Sequence, residues 1–84
     1  MSVPTQAATS DRPRYPEIDE DMGEDPARFL SSSERYLPLA RILGIRDRGL
    51  LSAYRAVELR EFGGRDAILE AIDEREHELM EELR

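Results

Sequence analysis

The chain has 84 residues, nineteen of them acidic, twelve basic and none cysteine, for a net charge of −7. That length allows one domain at most, and the missing cysteines exclude disulfides and thiolate zinc sites. The negative charge keeps a small chain soluble and opposes bulk attraction to nucleic acid or an anionic membrane.

All twelve basic residues are arginine. The lack of lysine fits GC-rich coding, and the acidity fits work in high salt. The composition therefore points to an extreme halophile, with a GC-rich bacterium as the alternative source. No apolar run approaches the roughly 20 residues that span a bilayer. Met1-Ser2-Val3-Pro4-Thr5-Gln6 has neither the basic start nor the apolar stretch of a secretory signal. The expected location is the cytoplasm.

Residues 1–24 contain Pro4, Pro13 and Pro16, many small polar residues and no periodic apolar pattern, which predicts a disordered arm. The arm runs into an acidic cluster of Glu17, Asp19, Glu20, Asp21, Glu24 and Asp25, with Tyr15, Ile18 and Met22 interleaved. A solvated, self-repelling tail is the plain reading of such a block, and a short docking motif for a basic partner is the functional one. The ligand spacing of a calcium loop is absent.

Asp25-Pro26 signals a helix start, since Asp caps and Pro suits the first helical position. Ala27, Phe29, Leu30, Ser33, Leu37 and Ala40 follow helical spacing, and Pro38 breaks it, so a kink is expected near Tyr36–Leu37 and a short second helix from Pro38 to Leu43. Gly44 suits its end. Ser31 with Glu34 reads as a local capping box. The serine run has no base near it, and no nucleophile–base pair is evident elsewhere, so no catalytic residue is assigned.

A third helix is predicted after Asp47, a suitable N-cap, as far as about Phe62. Ala53, Val57, Leu50, Tyr54, Leu51 and Phe62 share one side at 100° per residue, with Glu58 inside the stripe. Gly63-Gly64 stops this helix and permits the positive φ angles of a tight reversal. The last helix begins near Arg65-Asp66. Its stripe holds Ile68, Leu69, Ile72, Leu79, Met80 and Leu83, with Glu76 at a central heptad position.

Folding the two arms back from the glycines sets Glu76 near Leu51 and Arg55, which makes Arg48 and Arg55 its candidate partners. For both stripe glutamates the plain reading is a rim position bridged to arginine. The sharper one is a buried Glu–Arg pair that fixes the register of an oligomer. Residues 41–65 carry six arginines against three acids, and residues 66–84 carry eight acids against two arginines. A basic arm and an acidic arm complement each other within the hairpin or across a dimer.

Two short stretches resemble known motifs. Leu39-Ala40-Arg41-Ile42-Leu43-Gly44-Ile45-Arg46-Asp47-Arg48-Gly49-Leu50-Leu51-Ser52-Ala53-Tyr54 resembles a helix-turn-helix, with Ala40, Gly44, Ile45 and Leu50 at the positions that set the crossing. The resemblance implies that Arg46, Arg48, Ser52 and Arg55 face DNA. Glu74-Arg75-Glu76-His77-Glu78-Leu79-Met80 contains the Glu-x-x-His ligand spacing and resembles the second-helix motif of the short encapsulated ferritins. That likeness implies a carboxylate and histidine metal site. Glu74 and His77 lie opposite the apolar stripe, however, so the simpler expectation is a solvent-facing His77 paired with Asp73.

The expected architecture is an all-α domain over residues 25–84. Two short helices pack on an antiparallel hairpin turning at Gly63–Gly64, behind the disordered acidic arm of residues 1–24. The expected role is a non-enzymatic protein–protein interaction module that needs no cofactor or metal. It self-associates through Leu69, Ile72, Glu76, Leu79, Met80 and Leu83, because the stripe on the last helix outruns its cover by about a turn. A second protein partner is not identified. A small DNA-binding regulator is the alternative and is not favoured, and a carboxylate–histidine metal binder is the second alternative.

Overall fold

A computed structural model describes residues 14–34 and 36–83; residues 1–13 of the expected arm, Arg35 and Arg84 lie outside the described part. Among the described residues the chain is all-helical. The helices are α1 (Pro16–Met22), α2 (Pro26–Leu30), α3 (Leu37–Leu43), α4 (Arg48–Glu61) and α5 (Asp66–Glu82).

The hairpin of α4 and α5 is the frame. Asp47 caps α4 by accepting from the backbone N–H groups of Gly49 (2.8 Å) and Leu50 (3.4 Å). At the far end Gly63 and Gly64 take φ of 80° and 74°, the left-handed region that a Cβ disfavours. A Cβ on Gly64 would stand 2.9 Å from a methyl of the exposed Leu59, which would have to shift, while the φ itself disfavours a side chain. Leu50, Leu51, Tyr54 and Val57 of α4 and Ile68, Ile72 and Leu79 of α5 form most of the core. Each such side chain contributes roughly 1.5–3 kcal/mol of burial.

The first three helices wrap this frame. Asp25 caps α2 through Ala27 N–H (3.1 Å) and is itself buried. The helix ends at Leu30, well short of the kink expected near Tyr36. Three serines follow it, and such residues offer the backbone side-chain alternatives to helical bonds. Ser32, rather than Ser31, makes the local bond, accepting from Glu34 N–H at 3.0 Å. Pro38 therefore sits in the first turn of α3, where a missing N–H costs nothing, and interrupts no longer helix. α2 packs on α3 and α4, and α3 packs on α5. Pro38 and Leu39 line one groove with Ala67 and Ile68, while Ile45 accepts from Arg75 Nε at 2.7 Å further along. α3 thus runs beside α5 in the same direction.

The boundary expected at residue 24 is displaced, because residues 16–22 are helical. Tyr15 and Ile18 of the interleaved trio pack against the core. Met22 reaches Gly49, where its methyl lies 3.3 Å from the position a Cβ would take. The tyrosine hydroxyl donates to Glu61, and Asp25 accepts from the backbone N–H of Arg14 and Tyr15. The acids that seemed to mark a solvated tail include the groups that fasten it. No helix among the described residues is long and apolar enough to cross a membrane.

Candidate interaction surface

Both buried carboxylates among the described residues, Asp25 and Glu58, are hydrogen-bonded. Glu58 is fully buried, off the rim where the plain reading put it. Its carboxylate accepts from the Arg65 backbone N–H (2.7 Å), Nε (3.0 Å) and Nη2 (2.8 Å). Nη2 also donates to the Leu30 carbonyl at 3.0 Å, and the guanidinium lies 4.9 Å over the Phe62 ring. A buried Glu–Arg pair therefore exists, but it closes the hairpin turn within one chain. The second stripe glutamate follows the plain reading. Glu76 is half-buried and takes both Arg55 terminal nitrogens at 2.9 Å, with Asp73 on the same guanidinium; Arg48 is not its partner.

A second network joins the strap to the core. The Tyr54 hydroxyl and the Arg41 guanidinium both donate to Glu24. Burial and the bond to Glu24 push the Tyr54 phenol well above its usual range. Burial also raises Glu24, but the bonds from Arg41 and Tyr54 outweigh it and hold the carboxyl below its usual range. Neither network leaves a nucleophile beside a free base.

The metal and DNA candidates are placed as follows. His77 is exposed and lies 3.5 Å from Glu81 one turn later, while Asp73 is paired with Arg55. Among the described residues no three histidine or acidic side chains are grouped to hold a metal ion. Of the four DNA candidates, Arg48 and Ser52 are exposed, Arg46 lies 3.9 Å from Glu82, and Arg55 is occupied by two carboxylates. Of the four positions that set the helix-turn-helix crossing, Ile45 and Leu50 are buried. Ala40 is exposed, Gly44 keeps a right-handed φ of −93°, and α3 packs chiefly on α2 and α5.

The stripe assigned to self-association is largely internal. Ile72 and Leu79 are buried, Leu69 and Glu76 are half-buried, and only Met80 and Leu83 remain exposed. The extra turn of cover comes from the α3 side, where Arg75 anchors the segment through Ile45, itself buried.

A further open apolar surface lies on α3, whose sequence is Leu-Pro-Leu-Ala-Arg-Ile-Leu. Its inner side buries Pro38 and Ile42. Tyr36, Leu37, Ala40 and Leu43 fall within about 120° of arc on the other side at helical spacing, and all four are exposed. Tyr36 is 69%, Leu37 42% and Leu43 60% exposed. Arg41, the one charge on α3, is bonded to Glu24. No family model, curated protein or solved structure matches the chain.

Proposed function

We propose that the chain is a non-enzymatic protein–protein interaction module that self-associates through the outer face of α3. The observation that carries this reading is the exposed apolar face of α3, opposite its buried one. Pro38 and Ile42 face the core, while Tyr36, Leu37, Ala40 and Leu43 face water. Exposed apolar residues grouped in this way mark interaction surfaces. A second copy suits the face because the face is neutral. A chain carrying −7 repels its copies, but the one charge on α3 itself, Arg41, is paired with Glu24. A small domain also gains stability from association that its own core supplies sparingly.

Multi-angle light scattering in molar salt tests the reading, with wild type beside Leu37→Glu/Leu43→Glu. Both leucines are exposed, so the variant folds, as far-ultraviolet circular dichroism checks. The wild type is expected to be a dimer or larger and the variant a monomer. A wild type that stays monomeric across the accessible concentration range overturns the proposal.

A further inference from the structure

We propose that residues 14–24, with α1 at their centre, form a strap that opens and closes as one unit on a body made of the other four helices, with Glu24 as its latch. A segment opens ahead of the rest of a protein when it buries little apolar surface and holds by exposed bonds. α2, α3, α4 and α5 each bury at least two residues, and α1 buries none of its seven. A helix that short does not hold alone in water. Its charges oppose it as well. Glu17 meets Glu20 and Asp21 at i, i+3 and i, i+4, where like charges repel. Its last turn carries no base to meet the helix dipole.

A few contacts keep the strap closed. Tyr15 and Ile18 are half-buried against the core and lie in one groove with Ala56, Val57 and Arg60 of α4. The Tyr15 hydroxyl bonds Glu61 at the surface, where water can replace either partner. Glu24 differs. Its side chain is only 17% exposed, and its carboxylate accepts from Arg41 Nε at 2.9 Å and from the hydroxyl of the fully buried Tyr54. Hydrogen bonds to a charged group are roughly twice as strong as neutral ones. Glu24 is therefore the tether that sets the opening equilibrium.

The body does not need the strap for its own bonds. Asp25 caps α2 through Ala27 N–H whether or not Arg14 and Tyr15 also donate to it. The Glu58–Arg65 and Glu76–Arg55 pairs contain no strap residue. Opening therefore removes α1 and leaves four helices in place. The open form presents Val57, 2% exposed while the strap is closed, and frees Arg41 and the Tyr54 hydroxyl. The bonds that hold the strap use none of Tyr36, Leu37, Ala40 and Leu43, so the proposal stands apart from self-association.

The chain has no cysteine, so a single introduced thiol reports opening at its own position. Val57→Cys lies beneath the strap, and Ile72→Cys lies in the body, where Ile72 is fully buried. Both full-length variants are labelled with dithiobisnitrobenzoate in rising urea below the unfolding transition. Val57→Cys is expected to react at least about tenfold faster than Ile72→Cys, with a shallower urea dependence, because strap opening exposes less surface than global unfolding. Adding Glu24→Ala speeds Val57→Cys about tenfold or more, as loss of a bond to a charged group does. Ile45→Val, in the loop before α4, speeds Ile72→Cys about fivefold and leaves Val57→Cys unchanged.

A glutamate-specific protease gives a second readout on the unaltered chain, since cleavage in rapid equilibrium tracks the population of the open form. Cuts after Glu17 and Glu20 are expected to precede those after Glu70 and Glu74 of α5. Val57→Cys reacting at the rate and urea slope of Ile72→Cys overturns the proposal, as do α1 cuts no faster than α5 cuts. A Val57→Cys rate that Glu24→Ala leaves unchanged overturns the role of Glu24 as latch.

Discussion

Arg65→Met tests the buried ion pair most directly. The substitution keeps an unbranched side chain over Phe62 but removes two donors from Glu58, at 3.0 and 2.8 Å, and the bond to Leu30. Breaking a buried pair by deleting one partner costs about 3–5 kcal/mol. Here the Arg65 backbone N–H remains on the carboxylate, and the arginine is 43% exposed, so the lower end applies. Counting two bonds to a charged group at about 1.5 kcal/mol each gives the same figure, about 3 kcal/mol. For a domain of this size that is a fall in Tm of roughly 12–24 °C. Urea and thermal unfolding followed at 222 nm in matched salt measure it. Glu58→Met/Arg65→Met removes the orphaned charge and is expected to regain at least about 1 kcal/mol over the single variant. A loss below about 1 kcal/mol for Arg65→Met, or a double variant no better than the single, refutes the argument that burial of Glu58 depends on this partner.

Further expectations follow from the same structure. Glu24 is held below the usual carboxylate range, so its contribution is complete above that range and disappears as pH falls through the depressed value. The urea midpoint should fall on acidification from pH 7 to pH 3, and Glu24→Gln should flatten that dependence while lowering stability at pH 7. Gly63→Ala meets open space and pays only for φ, about 1–2 kcal/mol. Gly64→Ala must also move the Leu59 methyl and should lose a few tenths more, by the same unfolding assay. Fluorescence anisotropy of random and genomic duplexes is expected not to change on adding the protein, even at low salt, because Arg55 is bound to Glu76 and Asp73 and Arg46 lies beside Glu82. A salt-sensitive rise would return Arg46 and Arg48 to a nucleic-acid role.

The parts of this fold that were legible in the sequence are those decided locally. Asp25 and Asp47 cap through their own side chains, and Gly63-Gly64 turns the hairpin because of what glycine lacks. Register alone narrowed the partner of Glu76 to Arg48 or Arg55, and Arg55 fills that place. What stayed hidden depended on contacts between distant segments. Tyr15, Ile18 and Met22 recur at helical spacing, yet they order only because α4 offers Gly49, Ala56 and Val57 beside them. Charge counting suggested a solvated arm, since nothing in an acidic block says that Glu24 will meet Tyr54 thirty residues away. The exposure of the α5 stripe was overestimated for a related reason. The α5 stripe was judged by its antiparallel neighbour alone, and α3 supplies the second cover.

The bond from Arg65 to Leu30 has a consequence for how the molecule opens. A five-residue helix such as α2 is far below the roughly 12–15 residues at which an isolated helix holds in water. Its last core residue gives its carbonyl to a guanidinium that is already fixed to Glu58 at the hairpin turn. α2 cannot fray without releasing that guanidinium, and the turn cannot open without freeing α2. Slowly exchanging amides should therefore include those at the end of α2, such as Ser31 bonded to Ala27, with protection equal to that of central α4 rather than of a surface turn.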